Sequence, residues 1–117
     1  MAKKKNKTVV QEKENNFDLH LFGHTIKVIV GDPSDWGENV DMGRSSIKNL
    51  TINVNKSMPN DIKCSTLLHE ILHIVLDFQS MDLTEQQVDI LTIGLFSLAR
   101  DNIEILMHIL ETGDIDV

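Results

Sequence analysis

The chain has 117 residues, 41% of them hydrophobic, which suits one domain around one modest core. Its net charge of −7 sets the summed field against phosphate, so neither a nucleic-acid partner nor an anionic-membrane surface is expected. Cys64 is the single cysteine, which excludes an internal disulfide and suits a reducing compartment.

Residues 1–15 are polar and lysine-rich and read as a disordered or loosely packed arm, leaving residues 16–117 as a single domain. Ala2-Lys3-Lys4-Lys5-Asn6-Lys7 is similar to the basic start of a signal peptide, but no apolar segment of about 7 to 15 residues follows it. No run approaches the roughly 18 to 20 apolar residues of a membrane span, and a cytoplasmic protein is expected.

Phe17-Asp18-Leu19-His20-Leu21-Phe22 alternates apolar and polar residues, Gly23-His24 supplies a turn, and Ile26-Lys27-Val28-Ile29-Val30 resumes the alternation. This pattern predicts a β-hairpin, with His20 on the polar face and His24 in the turn, both facing solvent. Gly31 to Ser46 is dense in turn residues and reads as a loop, with Trp36 as a packing lid. A third strand is expected over Ile47 to Asn55, where Leu50, Ile52 and Val54 alternate with polar residues.

Pro59, with Asn60 or Asp61 as cap, then opens a helix that reaches Phe78. Inside it lies His69-Glu70-Ile71-Leu72-His73, the most specific stretch of the chain. Residues four apart sit one turn apart on one helix face, so both imidazoles can reach a single metal ion. Glu70 is turned about 100° from His69, which places its carboxylate beside the water that the metal would activate. Burying these three groups among Leu67, Leu68, Ile71, Leu72, Ile74 and Val75 costs several kcal/mol if they lack partners, and a metal would satisfy all three. Cys64 precedes the motif and is expected to be a small buried residue.

Thr84 followed by Glu85 marks the cap of a second helix reaching Arg100, with Val88, Leu91, Leu95 and Leu98 as its apolar stripe. A short third helix is expected over Ile103 to Leu110, stopped by Thr112-Gly113, with His108 as a satisfied core or boundary residue.

Catalytic zinc takes three protein ligands and keeps one position open. Asp77 continues the four-residue series but drifts about 80° from His69 around the helix, which suits a surface carboxylate. If the second helix folds back through the connection at 79–83, Glu85 and Asp89 both become candidates, one turn apart on one face. Counting symmetrically about residue 81 pairs His73 with Asp89 and leans toward that residue.

His69-Glu70-x-x-His73 followed by Glu85-Gln86-Gln87-Val88-Asp89-Ile90-Leu91-Thr92 resembles the ImmA/IrrE-like metallopeptidases, whose second motif is Glu-x-x-Ala-(Asn or Asp)-x-Phe-Ala. Val88, Leu91 and Thr92 stand where that motif has small and aromatic residues. Phe17 to Asn102 as a whole resembles the small phage-encoded metallopeptidases described as SprT-like or ImmA/IrrE-like. The resemblance implies His69, His73 and Glu85 as zinc ligands, Glu70 as general base, and Asp89 as a supporting residue or alternative ligand.

Together these readings predict an α+β domain. A small three-stranded, mainly antiparallel sheet packs on the helix that carries the motif, and two further helices follow. The expected function is zinc-dependent hydrolysis of a peptide or protein substrate. The alternative is a non-catalytic metal-binding module that keeps this fold to hold a protein partner. With no tyrosine in the chain, His108, Arg44 and Arg100 are the side chains available to stabilise an oxyanion.

Overall fold

The computed structural model of the protein describes residues 16–32 and 42–116. The expected arm at residues 1–15 and the expected lid Trp36 lie outside them. The fold is mixed α+β, with a four-stranded sheet and three helices among the described residues. The chain divides into two compact units, Met1–Asp82 and Leu83–Val117.

The first unit holds the sheet. Strands β1 (Phe17–Leu21) and β2 (His24–Gly31) form the expected antiparallel hairpin. Its turn falls one residue earlier than expected, at Phe22 and Gly23, both with positive φ (53° and 79°). That pair of angles matches the right-handed twist of the flanking strands. Strand β4 (Thr51–Asn55) lies parallel to β2, and β3 (Gly43–Ser46) lies antiparallel to β4, so the order is β1-β2-β4-β3.

The three-stranded expectation is therefore corrected to four strands, two of whose three pairings are antiparallel. Gly43-Arg44-Ser45-Ser46 has no large apolar side chain and so carries no period-2 signal; β4 defines it by pairing Gly43 with Val54 and Ser45 with Ile52. The expected strand over Ile47 to Asn55 is shortened to Thr51–Asn55. Leu50 takes a positive φ of 54°, which no extended strand accommodates, and the Ser46 hydroxyl accepts the Asn49 N–H across the turn.

Helix α1 (Asn60–Phe78) covers one face of this sheet. Thr66, Glu70 and Ile74 are its buried residues and recur every four positions, the spacing of one helix face. Ile74 closes a core with Ile26 and Val28 from β2 and Ile52 and Val54 from β4. Burial of such a side chain contributes roughly 1.5–3 kcal/mol, so these five residues dominate the unit's stability.

Phe78, at the end of α1, packs edge-on to Phe22 at 5.5 Å and stacks with His24 at 5.0 Å, which ties the hairpin turn to the helix. Neither Asn60 nor Asp61 caps the helix: Pro59 occupies the cap position, without a side-chain hydrogen bond. At the other end Ser80 adopts φ 54°, Met81 N–H bonds Leu76 C=O and Ser80 N–H bonds Asp77 C=O. These two bonds form a Schellman stop with serine in the position that glycine favours.

The second unit comprises α2 (Glu85–Asp101) and α3 (Ile103–Thr112). Thr84 caps α2 through a reciprocal capping box with Gln87, and Gly113 ends α3 in the left-handed conformation. The buried residues of α2 are Val88 and Thr92. Of the expected apolar stripe, Val88 is buried and Leu91, Leu95 and Leu98 are exposed. No helix among the described residues is long and apolar enough to cross a membrane.

Candidate metal centre

The motif lies well inside α1, where regular helix geometry applies. His69 and His73 are half-buried, and their Nε2 atoms face one another at 3.1 Å, with the rings 4.7 Å apart and inclined by 69°. At that distance one ring must donate a proton to the other's lone pair, or both lone pairs must share a cation. A tetrahedral ion with Zn–N bonds of about 2.0–2.1 Å holds two nitrogens roughly 3.3–3.4 Å apart. The pair fits such an ion after an adjustment of a few tenths of an ångström.

Glu70 belongs to the buried row of α1 rather than to the histidine face, as the 100° step requires. What shapes its surroundings is Gly43 on β3. A Cβ built at Gly43 would lie 3.3 Å from Glu70 Cγ, 3.1 Å from the Asn53 carbonyl oxygen and 2.6 Å from Thr66 Cγ2. Only glycine lets the strand come this close to the helix. Sequence reasoning placed Gly43 in a loop and gave it no role, because the close approach is a contact between segments distant in the chain.

Arg44 follows Gly43 on β3, and the alternation of a strand points it to the sheet face away from α1. The other two oxyanion candidates lie in the second unit. Arg100 sits 5.8 Å over the Phe96 ring, and the His108 Nε2–H donates to the Asp116 carbonyl at 2.8 Å, the satisfied boundary role expected of it. Cys64 is exposed on α1, against the expectation that it is buried; it precedes the buried row at Thr66 by two residues and so falls on another side of the helix. His20 and His24 are exposed, as expected, and Asp77 is an exposed helix-surface carboxylate. An apolar cavity of about 130 Å³ is lined by Leu19, His20, Leu21, Ile26, Ile52 and Ile71, a set that includes neither motif histidine.

Glu85 is the first residue of α2, directly after the Thr84 cap, and Asp89 follows one turn later; both are exposed. Val88 and Thr92, which stand at small-residue positions of the resembled motif, are the two buried residues of α2, and the Thr92 hydroxyl donates to the Val88 carbonyl at 2.8 Å. Among the described residues, His69, His73 and Glu85 form a group that could hold a metal ion, each offering one ligand atom, with these atoms within 4.8 Å of one another. Asp89 lies outside that group. No family model matches the chain, and no curated protein or solved structure shows significant similarity to it.

Proposed function

We propose that the protein is a zinc-dependent peptidase in which His69, His73 and Glu85 hold the ion and Glu70 is the general base. The observation that carries this reading is the arrangement on α1, where two imidazole nitrogens converge to 3.1 Å and the carboxylate between them in sequence is buried on the adjoining face. Two nitrogens and one carboxylate oxygen form a donor set suited to zinc, leaving a fourth position open. A bound zinc ion supplies Lewis acidity, polarising the scissile carbonyl and lowering the pKa of water.

Glu70 accepts the proton of the attacking water and passes it to the leaving amine, so the amine departs neutral. Its burial against Gly43 limits the carboxylate's rotamers and keeps bulk water off one side of it. Among the described residues β3 is an edge strand of the sheet and lies beside Glu70, a placement that suits an extended peptide aligned along that edge. Asp89, one turn beyond Glu85, supports the carboxylate ligand from the same helix face.

The deciding experiment is Glu70→Gln, assayed for zinc uptake and for cleavage of a broad peptide library. The expected result is retained zinc with cleavage reduced at least ~10²-fold, the usual contribution of a positioned general base. Cleavage at the wild-type rate would sink the mechanism. Zinc-loaded wild type that cleaves nothing would make a non-catalytic metal-binding module the better reading.

A further inference from the structure

We infer that Thr84 and Gln87 are positioning residues for the metal centre: their reciprocal hydrogen bonds hold the first turn of α2 closed and so present Glu85 to the ion. The inference rests on the reading of Glu85 as the third ligand. Glu85 offers one of the three ligand atoms that lie within 4.8 Å of one another, yet it is the first residue of its helix and exposed. His69 and His73 stand in the interior of α1, where the helical ladder fixes the backbone on both sides of them. Position 85 has no such ladder behind it, because the first four N–H groups of a helix find no partner within the helix.

Thr84 supplies what is missing. Its Oγ1 accepts the Gln87 N–H at 3.1 Å, its own N–H donates to Gln87 Oε1 at 2.9 Å, and its carbonyl accepts the Val88 N–H at 3.0 Å. All three bonds close over Glu85, and none of them engages the Glu85 carboxylate. Thr84 is extended, with φ −71° and ψ 160°, and its β-branched side chain is stiff at χ1, so the hydroxyl is held where the Gln87 N–H meets it.

The caps are distributed as the ligands are. Helices α1 and α3 begin without a side-chain cap bond, and neither has a member of the metal-binding group in its first turn. Among the described helices α2 has both.

A ligand that is correctly placed for only part of the time weakens binding by that fraction. Loss of a side-chain cap shifts the balance between the closed and the frayed first turn about fivefold. Helix ends open with a free energy near zero, so a shift of that size lowers the closed fraction about threefold.

Zinc affinity of the full chain, measured by competition against a chromophoric chelator, tests the inference. Thr84→Ala should raise the zinc Kd about threefold, and Thr84→Ser, which keeps the accepting hydroxyl, should return it to within about 1.5-fold of wild type. Gln87→Ala, which removes one of the two reciprocal bonds, should fall between them. A double-mutant cycle separates positioning from general stability. In a Glu85→Ala background Thr84→Ala should leave the Kd unchanged, because no carboxylate remains to be presented. An equal loss in both backgrounds overturns the inference in favour of a merely structural cap, and so does a Thr84→Ala protein that binds zinc as wild type does. Wild type that takes up no zinc, or unchanged affinity in Glu85→Ala alone, overturns the ligand reading itself and the inference with it.

Discussion

Gly43 on β3 lies so close to Thr66 on α1 that a Cβ at position 43 would sit 2.6 Å from Thr66 Cγ2. Thr66 is β-branched and buried, so that methyl cannot simply rotate away, and the Asn53 carbonyl at 3.1 Å closes the other side. Gly43→Ala is therefore expected to push β3 off the helix and to destabilise the protein by about 1–3 kcal/mol, the usual cost of overpacking. Urea denaturation would measure the loss. Under the proposed chemistry peptide cleavage also falls, because Glu70 one turn along shares the same contact, while the His69–His73 pair still takes up zinc.

Ligand substitutions rank the carboxylates. His73→Ala removes one of the two converging nitrogens and should weaken zinc binding by more than 100-fold, counted as more than about 2.7 kcal/mol. Glu85→Ala should cut affinity sharply, whereas Asp89→Ala, as a supporting residue, should cost about 10- to 100-fold at most. Competition against a chromophoric chelator gives all three values. A larger loss from Asp89→Ala than from Glu85→Ala would move the third ligand to Asp89.

Chelation separates a catalytic metal from a structural one. The core of the first unit is built from Ile26, Val28, Ile52, Val54 and Ile74, none of them a candidate ligand. Metal-free protein should therefore keep its helical circular dichroism and lose only the linkage term, about 2.7 kcal/mol at a zinc concentration 100 times Kd. Thermal melts with and without chelator would show a lowered transition rather than an absent one.

Ser80 offers a gain in stability. Its φ of 54° puts a side chain in the left-handed region, at a Schellman position where glycine carries no steric cost. Ser80→Gly should stabilise the protein by about 0.5–1 kcal/mol, net of the entropy that glycine adds to the unfolded chain. The melting temperature should rise by a few degrees.

The elements legible in the sequence were those whose signals lie within their own span. The hairpin of β1 and β2 carries its alternation, α1 its apolar run, α2 its Thr84 cap and α3 its Gly113 stop. The meeting of His69 and His73 is likewise local, since a four-residue step on a helix brings two side chains together whatever surrounds them. Glu70 follows for the same reason, its direction set by the helix alone.

Only the tertiary structure decided what depends on a distant partner. Strand β3 exists because β4 offers it a hydrogen-bond ladder, and β2 and β4 pair in parallel across an intervening segment that carries no signal of their register. Cys64 is expected to be buried and is exposed, and three leucines of the α2 stripe are exposed as well, because periodicity identifies a face of a helix but not what covers it. Gly43 is the sharpest case. Its role beside Thr66 and Glu70 comes from the distance between a strand and a helix, a quantity set by packing that no residue of either segment encodes alone.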